Sequence, residues 1–186
     1  MKFLKYLSIF IFFISCHNKK ESKELIKNND EEIDFFQPEY LGAFGSSTKL
    51  ILFASFNECG EWGGHKEILE VYAKENQNFY AKYIKNRVDC SKIGELYGKP
   101  EFQKLDYEKE LKLNKVQQKA IFEYLLKLTE SKISENFPSH SGQIFGAEKT
   151  DSTFYIRVYD NSSKNLKNYN TLLTELNIEN VKIDRE

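Results

Sequence analysis

The chain has 186 residues and a formal net charge of −1 at pH 7, from 27 Lys and Arg against 28 Asp and Glu. That balance offers no electrostatic attraction for nucleic acid or for an anionic membrane surface. Its only arginines are Arg87, Arg157 and Arg185, so planar, bidentate phosphate recognition is not favoured either. The length suits one domain with one core.

The first residues read MKFLKYLSIFIFFISC. Lys2 and Lys5 precede an apolar run over residues 6–14, and the small Ser15 stands directly before Cys16. A membrane-crossing helix needs roughly 20 apolar residues, which this run does not reach. The layout is that of a secretory signal peptide with a positive region, a short apolar region and a small residue at the cut. Phe13-Ile14-Ser15-Cys16 resembles the lipobox of bacterial lipoproteins, with Phe13 where the family favours Leu. The resemblance covers only the leader. It implies removal of residues 1–15, lipid such as palmitate on Cys16, and a location in the cell envelope anchored through that lipid. His17 stands where an Asp would signal inner-membrane retention, which points to the outer membrane in a cell that has one.

Residues 17–34 are charged and amide-rich, with only Leu25, Ile26 and Ile33 apolar. Such a composition buries too little surface to offset its ordering entropy and reads as a tether joined to the lipidated cysteine, residues 16–34 in all. The remainder, residues 35–186, is expected to form a single α+β domain.

Residues 49–56 form a short, nearly continuous apolar run, the pattern of a buried strand. Residues 66–73 and 79–88 alternate, so the three runs predict an antiparallel meander. Residues 91–112, which include Gly94, Gly98 and Pro100, read as irregular with one short helical turn. Asn114 followed by Gln117 makes a capping box for a helix carrying Val116, Ala120, Ile121, Tyr124, Leu125 and Leu128 on one stripe. Phe122, Leu126 and Ile133 widen that stripe, which predicts burial on more than one side. Residues 143–147 and 152–160 predict a later hairpin. Ser162 and Ser163 open a last helix, and residues 181–183 a short final strand. Runs of strands without regular βα alternation predict an α+β fold: a mainly antiparallel sheet, made of the meander plus the hairpin, covered by two helices.

With Cys16 assigned to lipid, Cys59 and Cys90 remain as a pair in an oxidising compartment. The meander brings both to one end of the sheet, so a disulfide between them is expected. Residues 58–67, Glu-Cys-Gly-Glu-Trp-Gly-Gly-His-Lys-Glu, hold the only tryptophan. Cys59, His65, Cys90 and His140 make a chemically suitable zinc set but lack the short spacing of zinc-binding cysteines, so neither a metal nor a cofactor is expected. Glu58 and Glu61 flank Cys59 and would raise its pKa, against nucleophilic use. Glu61, His65, Glu67 and His140 are the weak candidates for general acid–base work, and Trp62 is the candidate for stacking on a ligand.

The function expected from these readings is an anchored, non-enzymatic binding or envelope-interaction lipoprotein. Its partner, besides the membrane reached through Cys16, would be an envelope protein or a glycan, met by the loops at residues 58–67 and 136–142. The alternatives are a small exported hydrolase using His65, Glu67 and His140, and an immunity or inhibitor lipoprotein.

Overall fold

The computed structural model describes residues 41, 47–74, 78–135, 142–160 and 162–182. The leader with Cys16, the tether, His140 and most of the loop at 136–142 therefore lie outside the described residues.

The meander forms as the three runs predict: β1 Leu50–Ser55, β2 Lys66–Ala73 and β3 Phe79–Arg87. The connection after β3 carries the short helix α1, Ile93–Leu96. It then becomes β4, Lys104–Lys112, which corrects the reading of residues 91–112 as irregular. β4 was hidden because its side chains are almost all exposed, so KLDYEKELK shows no buried face to read. The strand exists because β3 offers it a ladder partner.

Helix α2, Lys115–Ile133, starts at the expected capping box. Asn114 Oδ1 accepts from the Gln117 amide at 2.9 Å, while Gln117 Oε1 accepts from the Asn114 amide at 3.0 Å. β5 Gln143–Lys149 and β6 Tyr155–Asp160 follow as the hairpin, and α3, Lys164–Glu175, closes the fold. Val181 and Lys182 are in no strand, so the final strand predicted at 181–183 does not form over the described residues.

The strands make one antiparallel sheet in the order β4-β3-β2-β1-β5-β6. The meander and the hairpin are joined because β1 pairs with β5 along its whole length. One face carries Leu50, Leu52, Leu69, Val71, Phe145 and Val158, all buried. Against these pack Ile121, Tyr124 and Leu128 of α2 and Tyr169, Leu172 and Leu173 of α3. The apolar stripe of α2 is narrower than predicted: Leu126 and Ile133 are exposed, because α2 has the sheet and α3 on one side and no described element on the other. On the opposite face Phe53 lies opposite Gly146, whose missing Cβ leaves room for the Phe53 ring and the Ile156 carbonyl.

Replacing fully buried Leu128 with Ala is expected to cost about 2–5 kcal/mol through lost transfer energy and a residual cavity. Asn114→Ala should cost about 1 kcal/mol through the lost cap. Chemical denaturation of each variant measures both.

Candidate functional site

The β1–β2 loop and the β3–β4 connection meet at one end of the sheet. Cys59 and Cys90 are joined there as a disulfide with Cα atoms 5.3 Å apart. The bond removes both sulfurs from thiolate or metal chemistry. Gln103 fastens the start of β4 to the same loop: its amide nitrogen donates to the Gly64 carbonyl at 2.9 Å, and its Oε1 accepts from the Lys66 amide at 3.1 Å.

Under this loop lies an ionic cluster in which His65 and Glu67 are buried and the Glu58 side chain stays 34% exposed. The His65 carbonyl accepts from the Phe56 amide at 3.0 Å, extending the β1–β2 ladder one step beyond the strand ends. Side chains at 65, 67, 69 and 71 thereby share the core face. The His65 ring stacks on Phe56 with centroids 4.5 Å apart. Its Nδ1 is paired with Glu58 Oε1, and its Nε2 lies 3.2 Å from Glu67 Oε1. Glu58 Oε2 also accepts from the His65 amide at 3.1 Å. Glu67 is fully buried, with Lys85 Nζ at 4.0 Å as a second, more distant cation.

The loop can take this shape only with glycine at position 64. A Cβ there would strike the Glu58 carboxylate and sit 2.8 Å from the Phe56 carbonyl. The carboxylate therefore occupies the space a side chain would need.

Burial disfavours a charged imidazole, but the hydrogen bonds and negative charges of Glu58 and Glu67 outweigh it and raise the His65 pKa to about 9. Burial likewise pushes the Glu58 carboxyl up, and bonding to His65 more than reverses this, leaving its pKa below the ordinary value. At neutral pH the centre is an imidazolium held between two glutamates. Burial, followed by the Glu67 charge, lifts the Tyr83 and Tyr169 hydroxyls well above the usual phenol range. These phenols line the inner side of Glu67.

A general base needs a free, unprotonated nitrogen at neutral pH. His65 has both nitrogens engaged by carboxylates and carries a proton on each. The expected meeting of His65 and Glu67 is present, but Glu61 is not part of it: it sits exposed on a single 3₁₀ turn, Gly60–Trp62, beside Trp62. His140 lies outside the described residues. Glu58, the partner that decides the state of His65, was considered from the sequence only as a neighbour of Cys59. The glycine pair at 63 and 64 was the available signal that the loop folds tightly back on itself.

Above the cluster, Trp62 and Tyr97 are 55% and 57% exposed and meet edge to face with centroids 5.2 Å apart. Trp62 comes from the loop of Cys59 and Tyr97 from the connection of Cys90, so the disulfide holds the pair together. Rather than folding back over the sheet, the tryptophan presents its ring to solvent. Among the described residues no group of three or more His, Cys, Asp or Glu side chains is arranged to hold a metal ion. No family model, curated protein or solved structure matches the chain.

His65→Leu leaves the Glu67 carboxylate buried without its main partner and should cost about 3–5 kcal/mol in denaturation. The pH dependence follows from the two shifts. The His65 contribution is complete below 6.5 and is lost as pH rises through about 9. The Glu58 contribution is present above 4.5 and is lost as pH falls through its depressed value. Melting temperature should therefore fall on the alkaline side between these two His65 values, and His65→Gln should flatten that arm in a calorimetric pH series.

Proposed function

We propose that the chain is an exported, lipid-anchored binding module that holds its partner through the aromatic surface at Trp62 and Tyr97. The observation that carries this reading is the exposure of both rings on covalently stapled loops. Large aromatics left in solvent forfeit burial worth about 1.5–3 kcal/mol each. Interface anchors are commonly of this type: rigid aromatic residues whose ordering cost is already met before binding.

The leader supports the anchoring half of the reading, since its end resembles a lipobox, in which Cys16 would be the lipidated first residue of the mature chain. The sequence from 17 to 34 supplies a polar tether between lipid and domain. Catalysis is the weaker reading, because the one described histidine is spent as a structural cation between Glu58 and Glu67. An immunity or inhibitor role is compatible with the same surface and differs only in the partner, which would then be a secreted toxin or lytic enzyme.

Two measurements test the proposal. In cells fed an alkyne-tagged palmitate, wild-type chain should be labelled and partition into detergent. Cys16→Ser should lose the label and stay in the aqueous phase, and unchanged partitioning would remove the anchor. For binding, Trp62→Ala with Tyr97→Ala should weaken capture of envelope proteins or glycans by on the order of tenfold or more. The double variant should melt within a few degrees of wild type, since both rings are mainly solvent-exposed. Capture that is indifferent to both rings would sink the aromatic surface as the site.

A further inference from the structure

The sheet face turned away from α2 and α3 has none of the described helices packed on it, and its half-buried cations are matched to acids with one exception. Lys49 pairs with Glu70 at 2.7 Å and Lys82 with Glu108 at 3.1 Å. Arg157 of β6 is on the same face, because it lies opposite Gly146, which in turn lies opposite Phe53. It is half-buried, yet it forms no ion pair among the described residues, not even with Glu148 on the diagonal position of β5. Its Nε is shut off from solvent and donates to nothing among the described residues. Buried donors are normally paired, and a partly desolvated charge most of all.

The guanidinium is nonetheless held in place. Its central carbon lies 4.8 Å from the centroid of the Tyr159 ring, which stands two residues along the strand on the same face. Across the ladder, Gly146 has no side chain, and the Phe53 ring takes the space where a Cβ would be. Phe53 is therefore the next side chain in the row from Arg157. Ile68 follows opposite Phe53, and Ile84 opposite Ile68, all three half-buried. An oriented cation thus stands at one end of an apolar row that runs across the strands.

We infer that this row binds a free aliphatic carboxylate of medium chain length, its head on Arg157 and its chain lying over Gly146 toward Phe53 and Ile68. The unpaired guanidinium selects the head, since its planar fork donates two parallel N–H groups to the two oxygens of a carboxylate. One guanidinium balances one negative charge, and Glu148 beside it opposes a second, so a phosphate dianion is disfavoured. The apolar row selects the tail, which gains by leaving water. Phe53 stands two strand spacings from Arg157, about 10 Å, so the tail must be several carbons long to reach it. The site is on the sheet face rather than the stapled loops, so it goes beyond the aromatic surface at Trp62 and Tyr97 and does not require it.

The test uses the full chain with its disulfide formed and follows arginine Nε–H and backbone amide signals by NMR. The chain has only Arg87, Arg157 and Arg185, so the Arg157 side-chain signal is the one that vanishes in Arg157→Lys. Octanoate should shift that signal saturably and leave those of Arg87 and Arg185 in place. Acetate, lacking the tail, should bind at least about tenfold more weakly. Octylammonium should not move the signal, and inorganic phosphate should bind more weakly than octanoate. Arg157→Lys keeps the charge without the fork and should weaken octanoate, read at the Phe53 and Gly146 amides, by about tenfold. Arg157→Gln should abolish binding, and if it fails to fold, the Lys variant carries the comparison. The inference is overturned if octanoate gives no saturable shift, if octylammonium gives an equal one, or if acetate binds as tightly as octanoate. Undiminished binding to Arg157→Lys overturns it as well. Tighter binding of phosphate, or of an acetylated Ala-Ala-Phe peptide with a free C-terminus, would overturn the free aliphatic acid as the ligand. The readout is confined to the sheet face, so a failure at Trp62 and Tyr97 is separately visible.

Discussion

The interaction on which the rest depends is the charged imidazole of His65 clamped between Glu58 and Glu67 beneath the β1–β2 loop. Burying His65 and Glu67 is costly unless each is paired and hydrogen-bonded, while Glu58 stays partly exposed beside them. Here the loop backbone joins in: the His65 amide donates to Glu58, and the His65 carbonyl accepts from Phe56. The cluster thereby fixes where β2 begins and how sharply the loop returns. It also fixes the position of Cys59, one residue from Glu58. A bridge that closes 31 residues then transfers the same constraint to the β3–β4 connection. On the chain-entropy account such a closure contributes roughly 3–4 kcal/mol.

Rigidity at this end has a consequence for recognition. The rings of Trp62 and Tyr97 are carried by loops tied together by a disulfide and the Gln103 hydrogen bonds, with a stacked, charged core below. Their ordering cost is met during folding rather than at the moment of binding, the condition under which exposed aromatics make effective anchors. The sheet shows a related asymmetry. Helices fill one face, the carboxylate of Glu135 accepts from the Tyr159 amide on the β6 edge, and β4 forms the other edge.

Much of this was legible in the residues. A continuous apolar run located β1, alternation located β2 and β3, the Asn114–Gln117 box located α2, and cysteine count plus meander topology predicted the Cys59–Cys90 bond. His65 and Glu67, two residues apart, would share a face if β2 began early. β4 was not legible, because a strand exposed on both faces carries no hydrophobic period and is defined by its neighbour's hydrogen bonds. The width of the α2 stripe was misread for a similar reason: Leu126 and Ile133 look like core residues until the position of α3 shows which side of the helix is covered.

The sequence by itself determined most of the local elements, β4 excepted, the α+β class and the pairing of the two downstream cysteines, because these follow from short-range periodicity, capping and parity. It also raised the expectation of export and lipidation from the first sixteen residues. Only the tertiary structure decided what His65 is. Whether an imidazole serves as a base or a structural cation depends on which carboxylates reach its two nitrogens and how much water is excluded. Glu58 reaches it across a glycine turn, Glu67 reaches it from the adjoining strand position, and burial under Phe56 makes both contacts count.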